Sequence, residues 1–173
     1  MAPMVYTSAP GATLATSAAT NTAADHFRLV TGAALTTSGT GQSRNVNVQA
    51  VYVTGRGAGL TQISGITYRI QRWTTTTSTS GTAITPAPGD PGFQAATAGA
   101  QYAASGVSLV QGTGGPTLLK AIGSGATGPG GWVAPNPDSL LTIVANNTTN
   151  SIDLWSHCGT ASIPFEFSTE HGE

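Results

Sequence analysis

Residues 152–171 read IDLWSHCGTASIPFEFSTEH. In the first half Ile152 and Leu154 flank Asp153; in the second Ile163, Phe165 and Phe167 alternate with Pro164, Glu166 and Ser168. Successive side chains of a strand point to opposite faces, so each half has one apolar face and one wetter face. Gly159-Thr160-Ala161-Ser162 between them is turn chemistry, with glycine free to adopt positive φ.

The same rhythm of two extends outward. Phe27 and Leu29 alternate with His26 and Arg28; Val46, Val48 and Ala50 with Asn45, Asn47 and Gln49; Ile66, Tyr68 and Ile70 with Thr67, Arg69 and Gln71. Val107 and Leu109 flank Ser108, and Leu141, Ile143 and Ala145 alternate with Thr142 and Val144. Between the runs stand Thr31-Gly32, residues 38–41 (SGTG), residues 55–59 (GRGAG), residues 112–116 (GTGGP) and Asn146-Asn147. No segment carries a helical apolar stripe of useful length, and residues 94–104 have room for one short helical turn at most. Seven or eight strands joined by Gly/Pro connections predict an all-β chain, an antiparallel β-sandwich of jelly-roll type. Residues 25–173 are expected to form the sandwich. Residues 1–24, small and uncharged, read either as an extended arm paired at a sheet edge, with Val5, Tyr6 and Leu14 as anchors, or as a disordered terminus. Two long connections, residues 74–93 and 123–138, are expected to be contact elements, because structureless loops of that length are usually docked or functional.

Composition narrows the function. Charged residues are 8% of the 173, against about 25% in an ordinary domain. Lys120 is the single lysine and the net charge is −1. A phosphate-reading nucleic-acid binder needs a basic patch, so that class is excluded. So little charge protects a free monomer poorly against association, which suggests a surface covered by copies of the chain or by a partner. No basic-then-apolar leader opens the chain, and no apolar run approaches ~18 residues, so neither secretion nor membrane insertion is expected. Cys158 stands alone, which rules out an internal disulfide framework and fits assembly in a reducing host cytoplasm.

Residues that would carry chemistry are scattered. His26, His157 and His171 with one cysteine do not make a four-ligand zinc site. His157 and Cys158 are adjacent on a strand and face opposite ways, which defeats a base–nucleophile pair. Asp90, Asp138, Asp153, Glu166 and Glu170 show no local pattern that would hold two carboxyls across a glycosidic bond; Asp90 and Asp138 sit in Gly/Pro turns and read as turn-cappers. Residues 55–59 fail the GxGxxG pattern at Leu60 and read as a hairpin connection. Asn146 and Asn147 fit N-x-[ST] but read as a turn. No catalytic, cofactor-binding or metal-binding residue is therefore expected. Interfaces favour aromatic and arginine anchors, which makes Val5, Tyr6, Arg69, Arg72, Trp73 and Trp132 the expected interface residues.

Three stretches carry a resemblance: residues 64–73 (SGITYRIQRW) with the loop running into residues 81–92 (GTAITPAPGDPG), residues 128–147 (GPGGWVAPNPDSLLTIVANN), and the closing pair already quoted. Together they resemble the small β-sandwich proteins that decorate or cement tailed-phage capsids. The resemblance is one of pattern across most of residues 40–173. It implies a jelly-roll virion protein on the capsid surface, a homotrimer bound to the major capsid protein, with no enzymatic residues. Three other readings compete: a glycan- or receptor-binding module at a head-fibre or adhesin tip, using Trp132 or Trp73; a polysaccharide-cleaving sandwich, disfavoured by the dispersed acids; and a jelly-roll shell protein proper.

Overall fold

The structure, a computed structural model, describes residues 4–11, 13–15, 24–31, 44–55, 66–74, 81–103, 108–109, 117–124, 129–145, 147, 149–158 and 163–173. Its strands are β1 (Val5–Ser8), β2 (Leu14–Ala15), β3 (Ala24–Val30), β4 (Val46–Gly55), β5 (Ile66–Trp73), β6 (Thr82–Ile84), β7 (Ala87–Pro88), β8 (Gly99–Tyr102), β9 (Thr117–Ser124), β10 (Pro129–Val133), β11 (Leu141–Ile143), β12 (Ser151–Cys158) and β13 (Pro164–Gly172), with one 3-10 turn at Pro137–Ser139. One sheet runs β10-β4-β13-β1-β7, with β11 on β4 and β2 on β13; the other runs β6-β8-β3-β12-β5-β9. Every pairing is antiparallel.

This order is a jelly roll with additions. Along the chain β1, β3, β4, β5, β9, β10, β12 and β13 pair first with last: β1 with β13, β3 with β12, β4 with β10, β5 with β9. That is one long hairpin rolled into two sheets, β1-β13-β4-β10 and β3-β12-β5-β9. Two roll strands are interrupted where proline removes a ladder donor. β1 stops before Pro10 and resumes against β13 as β2. β10 stops before Pro135 and Pro137 and resumes against β4 as β11. The long β5–β9 connection supplies the additions: β8 and β6 extend the second sheet beyond β3, and β7 covers β1.

Alternation fills the space between the sheets with Leu14, Phe27, Leu29, Val46, Val48, Val51, Val53, Tyr68, Ile70, Ile143, Ile152, Leu154, Ile163, Phe165 and Phe167, each at most 5% exposed. Phe27 meets Phe167 edge-on at 5.0 Å between ring centres. The space among Phe27, Val51, Ile70, Leu154 and Thr169 is about 10 Å³, at the lower limit for one water. The interior is packed and offers no room for a ligand there.

Several expectations are corrected. The boundary at residue 25 does not separate an arm from the sandwich, because β1 lies between β13 and β7 and carries Tyr6 into full burial. Residues 94–104 hold strand β8, not a helical turn. The expected loop 74–93 contains β6 and β7, and loop 123–138 contains β10. Residues 55–59 do not close a hairpin, since β4 and β5 lie in different sheets; Arg56 to Gly59 themselves fall outside the described residues. Ser108 and Leu109 are not in a strand, but Leu109 donates its amide to the Asp25 carbonyl and is buried.

Candidate functional site

Four places could carry function, and the sequence positions each. The first is a buried charged row. Gln101 on β8, Arg28 on β3, Asp153 on β12 and Gln71 on β5 are register partners across four adjacent strands, and none is more than 7% exposed. A bulge at His26 turns Asp25 to the same side. Arg28 donates from Nε (2.9 Å) and Nη2 (2.8 Å) to Asp153 Oδ2, and from Nη2 to Asp25 Oδ2 at 3.0 Å. Burial, and then the Asp153 charge, push the Asp25 carboxyl well above its ordinary range, although Arg28 opposes them. Among the described residues two acids come together here on one arginine; Asp153, unlike Asp25, is among the acids weighed from the sequence. The pair is sealed at 1% exposure or less, so it is built to hold β3 to β12 and not to meet a substrate.

The bulge residue His26 faces the other way. It approaches Ser156 Oγ at 2.7 Å and meets Phe165 edge-on at 4.8 Å. Burial lowers its pKa from 6.5 to about 4. His157 lies on β12 one residue from Cys158, whose side chain is outside the described residues. Among the described residues no group of three or more His, Cys, Asp or Glu is placed to hold a metal.

The second place is a latch at the end of β13. The Glu173 carboxylate accepts from the Thr97 amide (2.8 Å to Oε2), the Thr97 hydroxyl (2.7 Å) and the Ala98 amide (2.8 Å). Burial alone would raise this carboxyl, but the adjacent His171 ring and these donors outweigh it and bring it to about 2. His171 Nε2, 3.8 Å away, is a neighbour beyond hydrogen-bond reach. The latch ties the β7–β8 connection to the roll. Tyr6 adds to it, donating to the Gln94 carbonyl at 2.9 Å and stacking on His171.

The third place is the outer face of the β10-β4-β13-β1-β7 sheet, where two open grooves sit at the two proline interruptions. One, about 450 Å³, lies beside Ala9-Pro10-Gly11 and is floored by Tyr52, Thr54, Glu166 and Ser168. The other, about 370 Å³, lies beside Ala134, Asn136 and Pro137 and is floored by Gln49, Ala50 and Glu170. Thr13 Oγ1 donates to Glu166 Oε1 at 3.0 Å, pinning the first groove's wall to its floor. Tyr52 is 42% exposed and pairs across strands with Gly131. A Cβ on Gly131 would sit 2.9 Å from the Val51 carbonyl and 3.5 Å from Tyr52 Cδ1, so the bare glycine lets the ring lie close over β10.

The fourth place is the flank formed by β9, β10 and β11. Lys120 Nζ stands 5.9 Å from the Trp132 ring centre, joining the two sheets there, and Arg72 Nη2 donates to the Thr142 carbonyl at 2.9 Å. Leu118 (53% exposed) and Val133 (56%) stand on the two edge strands here and face opposite sides of the sandwich: Leu118 pairs with Gln71 on the outer face of the second sheet, and Val133 pairs with Ala50 and lines the second groove, while Val144 (62%) follows β11. Tyr52 is the fourth large exposed apolar residue among those described.

The expected interface residues separate accordingly. Tyr6 and Trp73 are buried within the chain and present no free surface. Val5, Arg69 and Arg72 are half-buried. Trp132 is half-buried, packed against the core at the open flank. The three tryptophans form no platform: Trp73 and Trp155 are buried 6.1 Å apart, and Trp132 lies on another strand. Asp90 caps its own turn, accepting from the Gly92 amide at 2.8 Å. Asp138 lies within the 3-10 turn, where the capping-type bond runs from Ser139 Oγ to Asn136 Oδ1. Leu118, Val133 and Tyr52 were missed; strand propensity in residues 117–124 and the alternation of Tyr52 and Thr54 beyond Ala50 were the available signals. Comparison of the chain with protein-family models, curated proteins and solved structures finds no match.

Proposed function

We propose that this chain is a non-enzymatic structural protein that works by association, decorating or cementing a phage capsid as a homotrimer bound to the major capsid protein. The observation that carries the reading is the asymmetry of the sandwich edges. The β5–β9 connection spreads strands β6, β7 and β8 over one flank, while the β9–β10–β11 flank ends without a further strand among the described residues, and its edge strands carry the exposed Leu118 on the outer face of one sheet and Val133 on that of the other. Uncovered edges with apolar side chains pair with other chains unless they are protected. The 8% charged composition supports the same reading, because such a surface can be buried without stripping water from ions. The pattern resemblance to capsid decoration proteins supplies the partner, and many identical sites on a shell turn a weak contact into a strong one.

Two measurements test this. Size-exclusion chromatography with light scattering should give an oligomer, and Leu118→Asp with Val133→Asp should return it to the mass of one chain without loss of β-sheet signal. Sedimentation with assembled tailed-phage capsids should carry the protein down, whereas unassembled shell subunits should not. A strictly monomeric wild type that stays in the supernatant would overturn the proposal.

A further inference from the structure

We infer that the chain joins copies of itself head to tail, with Leu118 and Arg69 on the outer face of the β6-β8-β3-β12-β5-β9 sheet of one copy seated in the groove beside Val133 and Glu170 of the next. The inference rests on the association reading above and names the two surfaces that meet. The projecting surface is made by a bulge. On β9, Lys120 pairs with Ile70 and faces the core side, where its Nζ stands over Trp132 of the other sheet. Strict alternation would turn Leu118 inward as well. The register instead shifts between Ile70 and Gln71, Leu119 is the extra residue, and Leu118 comes to stand opposite Gln71 on the outer face. Bulges re-aim side chains in this way. Ala121, small and exposed, pairs with the half-buried Arg69 on the same face. Leu118 and Arg69 are diagonal neighbours on adjacent strands, about 7–8 Å apart.

The receiving surface is the groove of about 370 Å³ on the other sheet. Val133 from β10 and Glu170 from β13 both pair with Ala50, so β4 holds them two strand spacings, roughly 10 Å, apart. Ala50 between them is small and buried, which keeps the floor low. Ala134, Pro137 and Leu140 extend the apolar wall from Val133, and the Glu170 carboxylate stands across the groove. A leucine and a cation on one surface thus match an apolar wall and a carboxylate on the other at similar spacing. The planar guanidinium suits a carboxylate at an interface. Among the described residues neither Arg69 nor Glu170 has an ion-pair partner within its own chain. The two surfaces face opposite sides of the sandwich, so the contact is not reciprocal about a two-fold axis. It is heterologous, and it closes as a ring, of which a trimer is the smallest, or runs on as a fibre.

The test is light scattering on the intact chain across a concentration series, with far-ultraviolet circular dichroism to report the fold. Arg69→Glu and Glu170→Arg should each weaken association at least about tenfold. The two together in one chain re-form the pair with its signs exchanged and should return association to within about threefold of wild type. A second pair of variants tests the geometry without the charges. Leu118→Asp and Val133→Asp should each be single chains, yet an equimolar mixture should give a two-chain species, because the intact Leu118 of one fits the intact groove of the other and both outer ends are blocked. Should a variant of one pair lose its sheet signal, the other pair decides. A strictly monomeric wild type overturns the inference together with the association reading. A closed wild-type dimer, an oligomer indifferent to either charge reversal, a paired reversal no better than the single ones, or Leu118→Asp and Val133→Asp chains that stay single when mixed would overturn this inference alone and leave association standing.

Discussion

Arg28 is at most 1% exposed and faces two buried carboxyls, so the triad holds one potential negative charge too many. The arrangement resolves this by favouring a proton on Asp25: burial and the Asp153 charge raise that carboxyl well above its ordinary 3.8. A proton there also supplies a donor near Asp25 Oδ1 and Asp153 Oδ1, which are buried without a partner among the described contacts. The two acids should therefore respond unequally to the same substitution. Asp25→Asn keeps the charge, the shape and an oxygen for Arg28 Nη2, and should shift stability by less than about 1 kcal/mol at pH 7.5. Asp153→Asn takes away the charge that accepts the two shortest Arg28 bonds and obliges Asp25 to ionise in its place, at a cost of about 1.5–3 kcal/mol. That is a sizeable fraction of the 5–15 kcal/mol typical of a domain and about 6 °C in Tm. Urea unfolding followed by tryptophan fluorescence reads both. The pH dependence gives a second check. A folded pKa raised above the unfolded value gives stability that is full below about 3.8 and declines as pH rises through the folded value. Asp25→Asn lacks that decline, so its stability relative to wild type should improve between pH 4 and 8. Equal damage from the two substitutions, or a gap that ignores pH, would refute the assignment of the proton.

Two further outcomes follow from buried groups on other strands. His26 has a folded pKa near 4 against 6.5 unfolded, so its contribution is full above about 6.5 and is lost as pH falls toward 4; wild type should be about 2 kcal/mol less stable at pH 5 than at pH 8 relative to His26→Gln, read from paired urea midpoints. Glu173, lowered to about 2 from 4.5, contributes fully above about 4.5 and loses that contribution as pH falls toward 2. Glu173→Gln should cost about 1.5–3 kcal/mol at pH 7 and speed hydrogen exchange at the Thr97 and Ala98 amides, which unaltered exchange there would contradict.

How much of this was legible in the sequence depended on what kind of burial each residue has. Strands with one wet face announce themselves: Phe165 and Phe167 alternating with Glu166 and Ser168 were read as they fold. Strand β8 was not legible, because Gly99, Ala100 and Gln101 are covered on both sides and small residues leave no alternation to read. Strands β6 and β7 were hidden for another reason. Their Thr, Ala and Pro residues have turn chemistry, and they become strands only because β8 and β1 offer free edges. Arg28 and Asp153 looked like exposed polar positions until four strands aligned them into one sealed row. The grooves could not be seen at all from pattern, yet Pro10, Pro135 and Pro137 that create them were in plain view as ladder breakers.

The edges also constrain how copies can join. A flank that meets itself across a two-fold axis closes at a dimer and leaves nothing of that surface for a third chain. A trimer needs one surface of each copy to meet a different surface on the next. Among the described residues Leu118 shares the outward face of Gln71 on the second sheet, whereas Val133 shares that of Ala50 and Tyr52 on the first, so one copy can present Leu118 where its neighbour presents Val133. The oligomer mass therefore separates two geometries. About three times 17.3 kDa requires that unlike contact, and then Leu118→Asp alone and Val133→Asp alone should each break every interface. About twice that mass means a surface that meets its own copy, and then one of the two substitutions should leave the oligomer intact.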